Sequence, residues 1–232
     1  HVLFNNCVIR DSNRGIGIIV RDGATVSDVM FSNLTIECTR HDWFWWGNGD
    51  PIFFILLKRH RDSMLGRIEN IMIKNVIAVG QGSSLIQGFP SRNLNNIVLD
   101  NVSISTAADT SRDLRADQAL CLRNVDNVEL RNCSFKWHHP HSDRWKQTVL
   151  ADKVTHLYVD RFRAEPVPGK LQSPVINFQA VEKAYLNQCM AVPGTNTWLR
   201  VNDGSDKIYI SNSDLTAAKT AVHPQDAPVQ MK

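Results

Sequence analysis

The chain has 232 residues, of which 43% are hydrophobic and 21% charged, a composition typical of a folded globular protein rather than a disordered or collagen-like one. The formal net charge is +3 and the charges are scattered, so neither a nucleic acid nor a membrane is expected as a partner. The longest apolar run, residues 52–57, is far shorter than the roughly 20 residues that a membrane-spanning helix needs.

An eight-residue pattern, in which apolar residues alternate and Asn usually holds the fifth position, recurs along the whole chain. Its copies follow one another at spacings of 27, 42, 26, 31, 29, 27 and 24 residues. The period-two alternation predicts short β-strands. The copies are Val2–Ile9, Val29–Ile36, Ile71–Ala78, Ile97–Ile104, Val128–Phe135, Leu157–Ala164, Ala184–Ala191 and Ile208–Leu215.

A second row of short apolar segments lies between these copies, so each period contains several strands and no helical pattern. Such a period is typical of a β-solenoid, whose successive coils stack at about 4.8 Å and pair in parallel. We therefore predict an all-β solenoid of about eight coils. It would form a single domain over residues 1–232, with a C-terminal tail over residues 216–232.

The fifth position of the repeat predicts a ladder of asparagine side chains. An Asn at a bend tolerates turn dihedral angles, and its amide can bond the equivalent Asn of the next coil. The alternative is that these residues mark ordinary turns. The position is occupied by Asn6, Asn33, Asn75, Asn101, Asn132 and Asn212, with Arg161 and Gln188 as departures.

The five cysteines are widely spaced and form neither a metal-binding pair nor a dense disulfide framework, so we expect free thiols. Cys7, Cys133 and Cys189 directly follow the fifth position of the repeat, where other copies carry apolar residues. We therefore expect these three thiols to fill the core.

Three segments exceed the basic period, and function in a solenoid usually lies in such insertions. They are residues 39–67, 106–118 and 136–147, and the first and third contain five of the six tryptophans. Aromatic rings beside Asn, Asp, Arg and His suit sugar binding, while packing over the sheet is the alternative. The histidines of the third insertion lack a recognised ligand spacing, and the sequence indicates no metal or cofactor.

Two stretches near the start carry a resemblance to a known family. Residues 6–18, with Arg21-Asp22-Gly23-Ala24 and residues 29–36, resemble the coil that bears the late substrate-binding motif of family 28 glycoside hydrolases, the pectin-degrading polygalacturonase group. Trp45-Trp46-Gly47-Asn48-Gly49-Asp50-Pro51-Ile52 is similar to a Trp-Trp-Gly-x-Gly-x-Pro-Ile sequence of a bacterial branch. The resemblance covers residues 1 to about 105.

The resemblance implies a right-handed parallel β-helix that hydrolyses pectic or other uronate-containing polysaccharide with inversion of configuration, using two flanking carboxylates. It favours an extracellular or periplasmic location, although the chain contains no targeting signal and the compartment stays open. The chain has no Asn-Thr-Asp, Asp-Asp or Gly-His-Gly sequence, so no catalytic residue is assigned.

The family's Arg-x-Lys pair, which binds substrate carboxylate, would fall at Gly17 and Ile19, and two arginines are the nearest cations. Arginine suits a uronate because its planar guanidinium group binds a carboxylate through two nitrogens. We predict that one wall of a substrate-binding cleft is formed by Arg14, Arg21, Trp45, Trp46, Asn48 and Asp50.

Two other functions fit the same pattern. In a non-catalytic glycan-binding solenoid, the tryptophan-containing loop binds sugar and no carboxylate pair performs acid/base chemistry. A polysaccharide lyase or epimerase on this fold needs a base opposite a cation, for which Asp109, Asp113 and Asp117 with Arg112 and Arg115 are the local candidates.

The first copy of the repeat provides no cap, because Val2, Phe4 and Ile9 leave an apolar end and an unpaired strand edge. We therefore expect N-terminal coils to be missing from the domain. Association of the protein through this uncapped coil is a further expectation.

Overall fold

A computed structural model describes residues 1–41, 46–109, 115–139 and 141–232. Within these ranges the protein is all-β, with 17 strands and no helix, and so no helix that could cross a membrane. The strands are β1 (Val2–Asn5), β2 (Val8–Ser12), β3 (Arg14–Val20), β4 (Thr25–Cys38), β5 (Asp50–Leu56), β6 (Arg67–Gly80), β7 (Ser84–Gln87), β8 (Leu94–Thr106), β9 (Gln118–Arg131), β10 (Ser134–Trp137), β11 (Gln147–Asp160), β12 (Arg163–Ala164), β13 (Pro174–Asn187), β14 (Thr197–Val201), β15 (Ile208–Ser211), β16 (Thr220–His223) and β17 (Val229–Met231).

The strands form one continuous sheet in which each strand pairs in parallel with strands of the neighbouring repeat. Thus β4 pairs with β6, β6 with β8, β9 with β11 and β11 with β13. This arrangement is consistent with a β-solenoid, and it confirms the prediction of strands at both rows of apolar segments. Residues 216–232, expected to be a tail, contain β16 and β17, which pair with β14 and β15.

One column of strands presents a surface that we call the outer face: the outward side of β3, β5, β7, the first part of β9, β11 and β13, then β14 and β16. In β3, Ile16, Ile18 and Val20 belong to the buried core, whereas Gly17 and Ile19 alternate with them and lie outside it. The period-two alternation of strand side chains therefore sets which residues reach this face.

The core is a single apolar cluster that runs along the whole stack of strands. Equivalent positions of successive repeats lie above one another, as in the stacked rings of Phe4 and Phe31, whose centroids are 5.1 Å apart. Phe31 also stacks on Phe54, which belongs to the other row of strands, at a centroid distance of 6.0 Å. Each fully buried side chain of this size contributes about 1.5–3 kcal/mol through its removal from water. The repeat of apolar residues thus stabilises the stack from within.

The predicted asparagine ladder is present at the centre of the chain. The side-chain amide of Asn75 donates to Asn33 Oδ1 at 2.9 Å, Asn101 donates to Asn75 at 3.0 Å, and Asn132 donates to Asn101 at 3.0 Å. These four residues have φ between 51° and 57°, the left-handed region that Asn tolerates better than most residues. At the start of the chain the ladder departs from the prediction, because Asn33 donates to Asn5 rather than Asn6.

A second polar column lies five positions before the first and was not predicted. Asn70 donates to Asp28 Oδ1 at 3.0 Å, and Asn96 donates to Asn70 Oδ1 at 2.8 Å. All three residues again have positive φ, between 55° and 57°. Two asparagine columns therefore mark two successive bends of the repeat.

The five cysteines are free, as expected, but they do not share one environment. Cys133 and Cys189 are buried, and burial raises the pKa of each thiol to about 12. The prediction that Cys7 fills the core is wrong, because this residue is exposed beside β1 and β2, where no described strand covers it.

Apolar side chains are exposed along the edge formed by β1 and β2. The exposed fractions are 48% for Val2, 62% for Leu3, 48% for Phe4 and 68% for Val8. Among the described residues, β1 and β2 pair only with β4, so their other edges carry unpaired backbone groups. This edge combines apolar side chains with free strand hydrogen-bonding groups.

Candidate functional site

The first two insertions meet beside the outer face, where they precede β5 and β9. Arg40 Nη1 lies 2.7 Å from Asp109 Oδ2, and the two side chains are 0% and 3% exposed. Arg115 Nη1 also donates to Asn48 Oδ1 at 3.1 Å. A buried ion pair and a surface hydrogen bond therefore join residues that are 69 and 67 positions apart in the chain.

The third insertion contacts the second through Asp117. Arg144 Nε lies 2.7 Å from Asp117 Oδ1, and Lys146 Nζ lies 3.5 Å from Asp117 Oδ2. We call the described parts of the three insertions the insertion rim. Although the sequence places them in separate repeats, the structure brings them together along one edge of the outer face.

Arg14 and Asp50 form an ion pair at the start of β3 and β5. Arg14 Nε lies 3.0 Å from Asp50 Oδ2, and the side chains are 17% and 4% exposed. The backbone N–H of Asn48 donates to the same carboxylate at 3.1 Å. Burial raises the pKa of Asp50, while the charge and hydrogen bond of Arg14 act in the opposite direction. Asp50 therefore fixes the loop to the sheet and presents little surface to a ligand.

Two glycines explain how the loop approaches β3 so closely. Gly47 has φ of 117°, and a Cβ atom there would lie 2.4 Å from Asn13 O. Gly49 has φ of 74°, and its N–H donates to the same carbonyl at 2.8 Å. The spacing of glycines after the tryptophan pair is thus required by backbone geometry. It holds the preceding residue, Trp46, beside the outer face.

Trp46 and Arg21 form the exposed part of the site. Trp46 is 65% exposed, and Cζ of Arg21 lies 5.4 Å from the centroid of its ring system. This is within the distance at which a guanidinium group is attracted to an aromatic face. Arg21 Nε is buried and has no hydrogen-bond partner among the described residues. The pair presents an aromatic surface next to a cation with unused hydrogen-bonding capacity.

Five of the six predicted site residues are described, and they fall into two groups. Arg14, Asn48 and Asp50 form a hydrogen-bonded cluster, and Arg21 and Trp46 form a cation–π pair. Trp45 lies outside the described residues.

Sequence reasoning did not identify Phe53, whose ring centroid lies 3.7 Å from Cζ of Arg14. Its place opposite Gly17 in the register of β3 and β5 is the signal that could have found it. The ring and the ion pair together hold the Arg14 side chain in place.

Tryptophans of the third insertion pack instead of projecting. Trp137 is 7% exposed and Trp145 is 0% exposed, and their ring centroids are 4.4 Å apart. The indole nitrogen of Trp137 donates to Glu165 O at 3.2 Å. These two rings therefore belong to the core rather than to a sugar-binding surface.

The carboxylates proposed for a lyase or epimerase are engaged in ion pairs wherever the structure describes them. Asp109 is bonded to Arg40, and Asp117 contacts two cations of the third insertion. Of the other three candidates, Arg115 donates to Asn48, and Arg112 and Asp113 lie outside the described residues. Among the residues that the structure describes, no group of three or more His, Cys, Asp or Glu side chains is placed to hold a metal ion.

The sequence matches no protein-family model, and no match is found among curated proteins or solved structures. Since a fold alone does not specify a function, the functional assignment depends on the chemistry of the site. That chemistry is an exposed indole ring beside a guanidinium group, held by a glycine-rich loop on the outer face of the sheet.

Proposed function

We propose that this chain is a polygalacturonase-like glycoside hydrolase, or the C-terminal part of one, that binds uronate-containing polysaccharide on the outer face. The observation that carries the proposal is the exposed indole ring of Trp46 with the guanidinium group of Arg21 at 5.4 Å. An aromatic ring of this kind covers the apolar C–H surface of a pyranose. The guanidinium group binds the carboxylate that distinguishes a uronate from a neutral sugar.

The proposal includes the finer architecture: a right-handed parallel β-helix of about eight coils. The parallel pairing of equivalent strands and the central asparagine ladder support it. In this arrangement a polysaccharide lies across the strands of the outer face. The insertion rim then forms one wall of the binding surface, as ion pairs between the insertions support.

Binding is tested by titrating the protein with oligogalacturonides in a calorimeter. We expect saturable binding that Trp46→Ala weakens about tenfold or more, because an exposed anchoring ring carries a large share of binding energy. Tyr158→Ala is the matched control, since Tyr158 is also an exposed aromatic residue, 43% exposed, but lies outside the outer face. Equal affinity of the wild type and Trp46→Ala, or no binding at all, would contradict the proposal.

Hydrolysis is tested separately by measuring reducing ends released from polygalacturonate. Reducing ends that the wild type releases and that Trp46→Ala does not release would support the assignment as a hydrolase. Saturable binding without release favours the second candidate, a glycan-binding solenoid without catalytic activity. One observation favours this second candidate: Asp50, the carboxylate of the loop, is 4% exposed and paired with Arg14. It is thus poorly placed to act as a general acid or base.

We also propose that the protein associates with a second copy through the edge formed by β1 and β2. The exposed Leu3 and Val8, with the unpaired strand edge, support this proposal. Sedimentation equilibrium should show a dimer that the double variant Leu3→Lys, Val8→Lys converts to monomer. A wild-type protein that stays monomeric at high concentration would overturn it.

A further inference from the structure

A shallow depression lies on the outer face, in the part of the molecule built by β13, β14 and β16. Its volume is about 630 Å³, and its polar lining residues are Gln179, Arg200, Asn202, Asp203 and His223. The volume is within the range of ordinary ligand-binding pockets. Unlike the region around Trp46, this depression contains no aromatic ring other than the imidazole of His223.

The strand register connects this depression with β3, the strand that Arg21 directly follows. Arg200 pairs with Asn177, which pairs with Leu150, and the same column continues through Phe53 on β5 to Gly17 on β3. Six strand-to-strand steps separate β3 from β14, which is about 29 Å at the usual spacing of parallel strands. An extended chain lying across the strands would therefore meet both places.

The side chains of the depression retain hydrogen-bonding capacity. Arg200 Nη2 donates to Gln172 O at 2.7 Å, and this is the only hydrogen bond of its guanidinium group within the described part of the chain. The side chains of Gln179 and His223 make no hydrogen bond to any described residue. The amide nitrogen of Asn202 is used, since it donates to Asn177 Oδ1 at 2.7 Å. Arg200 is therefore held from one side and can bind a ligand from the other.

The polar groups that line the depression indicate the chemical class of its ligand. A partly exposed guanidinium group binds a carboxylate, and the amide, imidazole and Asp203 carboxylate groups suit the donors and acceptors of sugar hydroxyls. A ligand that carries both a carboxylate and several hydroxyl groups uses all of them. A sugar acid meets this description, whereas an apolar ligand does not.

We infer that the depression around Arg200 and His223 is a distal subsite that binds a uronate residue of the same polysaccharide whose other part contacts Arg21 and Trp46. This inference rests on the proposed function for its ligand. A short oligosaccharide occupies one place only, and a chain long enough to span about 29 Å occupies both.

The experiment compares two probes, digalacturonate and decagalacturonate, with a neutral galactan decasaccharide as the control. Affinities are measured by calorimetry for the wild type, Arg200→Gln, Trp46→Ala and the matched control Arg163→Gln, whose arginine is exposed on β12, outside the outer face. Amide NMR shifts of residues 200–203 and 223 report occupation of the distal subsite. Amide shifts of residues 46–49 report the site at Trp46.

We expect Arg200→Gln to weaken decagalacturonate binding about tenfold and to remove the shifts at residues 200–203 without changing those at residues 46–49. Arg163→Gln should leave affinity and shifts unchanged. Wild-type affinity of Arg200→Gln for decagalacturonate, or no shifts at residues 200–203 with either acidic probe, would overturn the distal subsite. Equal shifts with the neutral galactan would overturn the assignment to a sugar acid.

The two proposals fail in different ways. If Trp46→Ala leaves decagalacturonate affinity unchanged while Arg200→Gln weakens it, the site at Trp46 is refuted and the distal subsite stands alone. If Trp46→Ala weakens binding and Arg200→Gln does not, the proposed function stands and the distal subsite is refuted.

Discussion

Two arginines at opposite ends of β3 show how surroundings decide what one residue type does. Arg14 is 17% exposed, and its charge is matched by the buried carboxylate of Asp50. Arg21, just after the strand, lies beside the exposed ring of Trp46 and has a buried Nε with no hydrogen-bond partner among the described residues. The first arginine is committed to the fold, and the second is available to a ligand.

Proximity in sequence is therefore a poor guide to a shared role. Both residues were predicted to bind a substrate carboxylate, because both are cations near the expected motif. The carboxylate that Arg14 binds is supplied by the protein itself, since the register of β3 and β5 places Asp50 directly opposite. An arginine that is already paired with a carboxylate of the protein has less capacity to bind the carboxylate of a uronate.

Removal of Asp50 should have the largest effect on the free energy of unfolding. Asp50→Ala leaves the mostly buried guanidinium group of Arg14 without its counter-charge and should destabilise the protein by about 3–5 kcal/mol. Urea denaturation measures the change. The control is Asp22→Ala, which breaks an ion pair with Arg59 whose side chains are 49% and 56% exposed, and should cost less than about 1 kcal/mol. Equal costs for the two variants would contradict a structural role for Asp50.

Replacement of Arg14 should give a smaller loss that depends on pH. Arg14→Met retains an apolar contact with Phe53 but leaves Asp50 buried without a cation, at a cost of about 2–3 kcal/mol near neutral pH. Burial already raises the folded-state pKa of Asp50, and removal of Arg14 raises it further. The folded variant then retains a proton that the unfolded chain has released, so its stability falls as pH rises through that range.

Urea denaturation of the wild type and Arg14→Met across the acidic pH range tests this direction of the pH dependence. The difference between the two proteins in free energy of unfolding should be largest at pH values above the raised pKa of Asp50. It should decrease as the pH falls toward 3.8, the ordinary pKa of an aspartate side chain. A difference that stays constant, or one that widens on acidification, would show that Asp50 is not the group responsible.

Replacement of Arg21 should hardly change stability but should weaken binding. Arg21→Gln removes a buried Nε that has no partner among the described residues, so the free energy of unfolding should change by no more than about 0.5 kcal/mol. The affinity for decagalacturonate should fall about tenfold, and its salt dependence should diminish. Arg59→Gln, which removes a cation that is 56% exposed and paired with Asp22, should bind as the wild type does. A large stability loss in Arg21→Gln would place this arginine with Arg14 in the fold.

The repeating parts of the molecule were predictable from sequence, and the insertions were less so. Strand positions follow from apolar alternation, and the central asparagine bonds follow from spacing, because both depend on contacts that recur once per repeat. Arg40 and Asp109, which are 69 positions apart, form a contact that occurs only once between the first two insertions. The repeat of the sequence therefore gives no signal for it. The environment of Cys7 was also missed, since the repeat indicates a core position without revealing whether a neighbouring strand covers it.

Arg161 is a third arginine whose surroundings determine its role, and its replacement should change stability only slightly. Arg161 occupies an asparagine position of the ladder with φ of 50°, and its Nε lies 2.9 Å from Asp160 Oδ2 in an ion pair whose side chains are 59% and 34% exposed. Such a pair contributes little, whereas Asn at this position tolerates the left-handed backbone and can donate to Asn132. Arg161→Asn should therefore raise the free energy of unfolding by about 0.5–1 kcal/mol in urea denaturation. Arg161→Ala, which removes the same ion pair but cannot join the ladder, is the control, and equal stability of the two variants would mean that the exposed ladder contributes no net stability there.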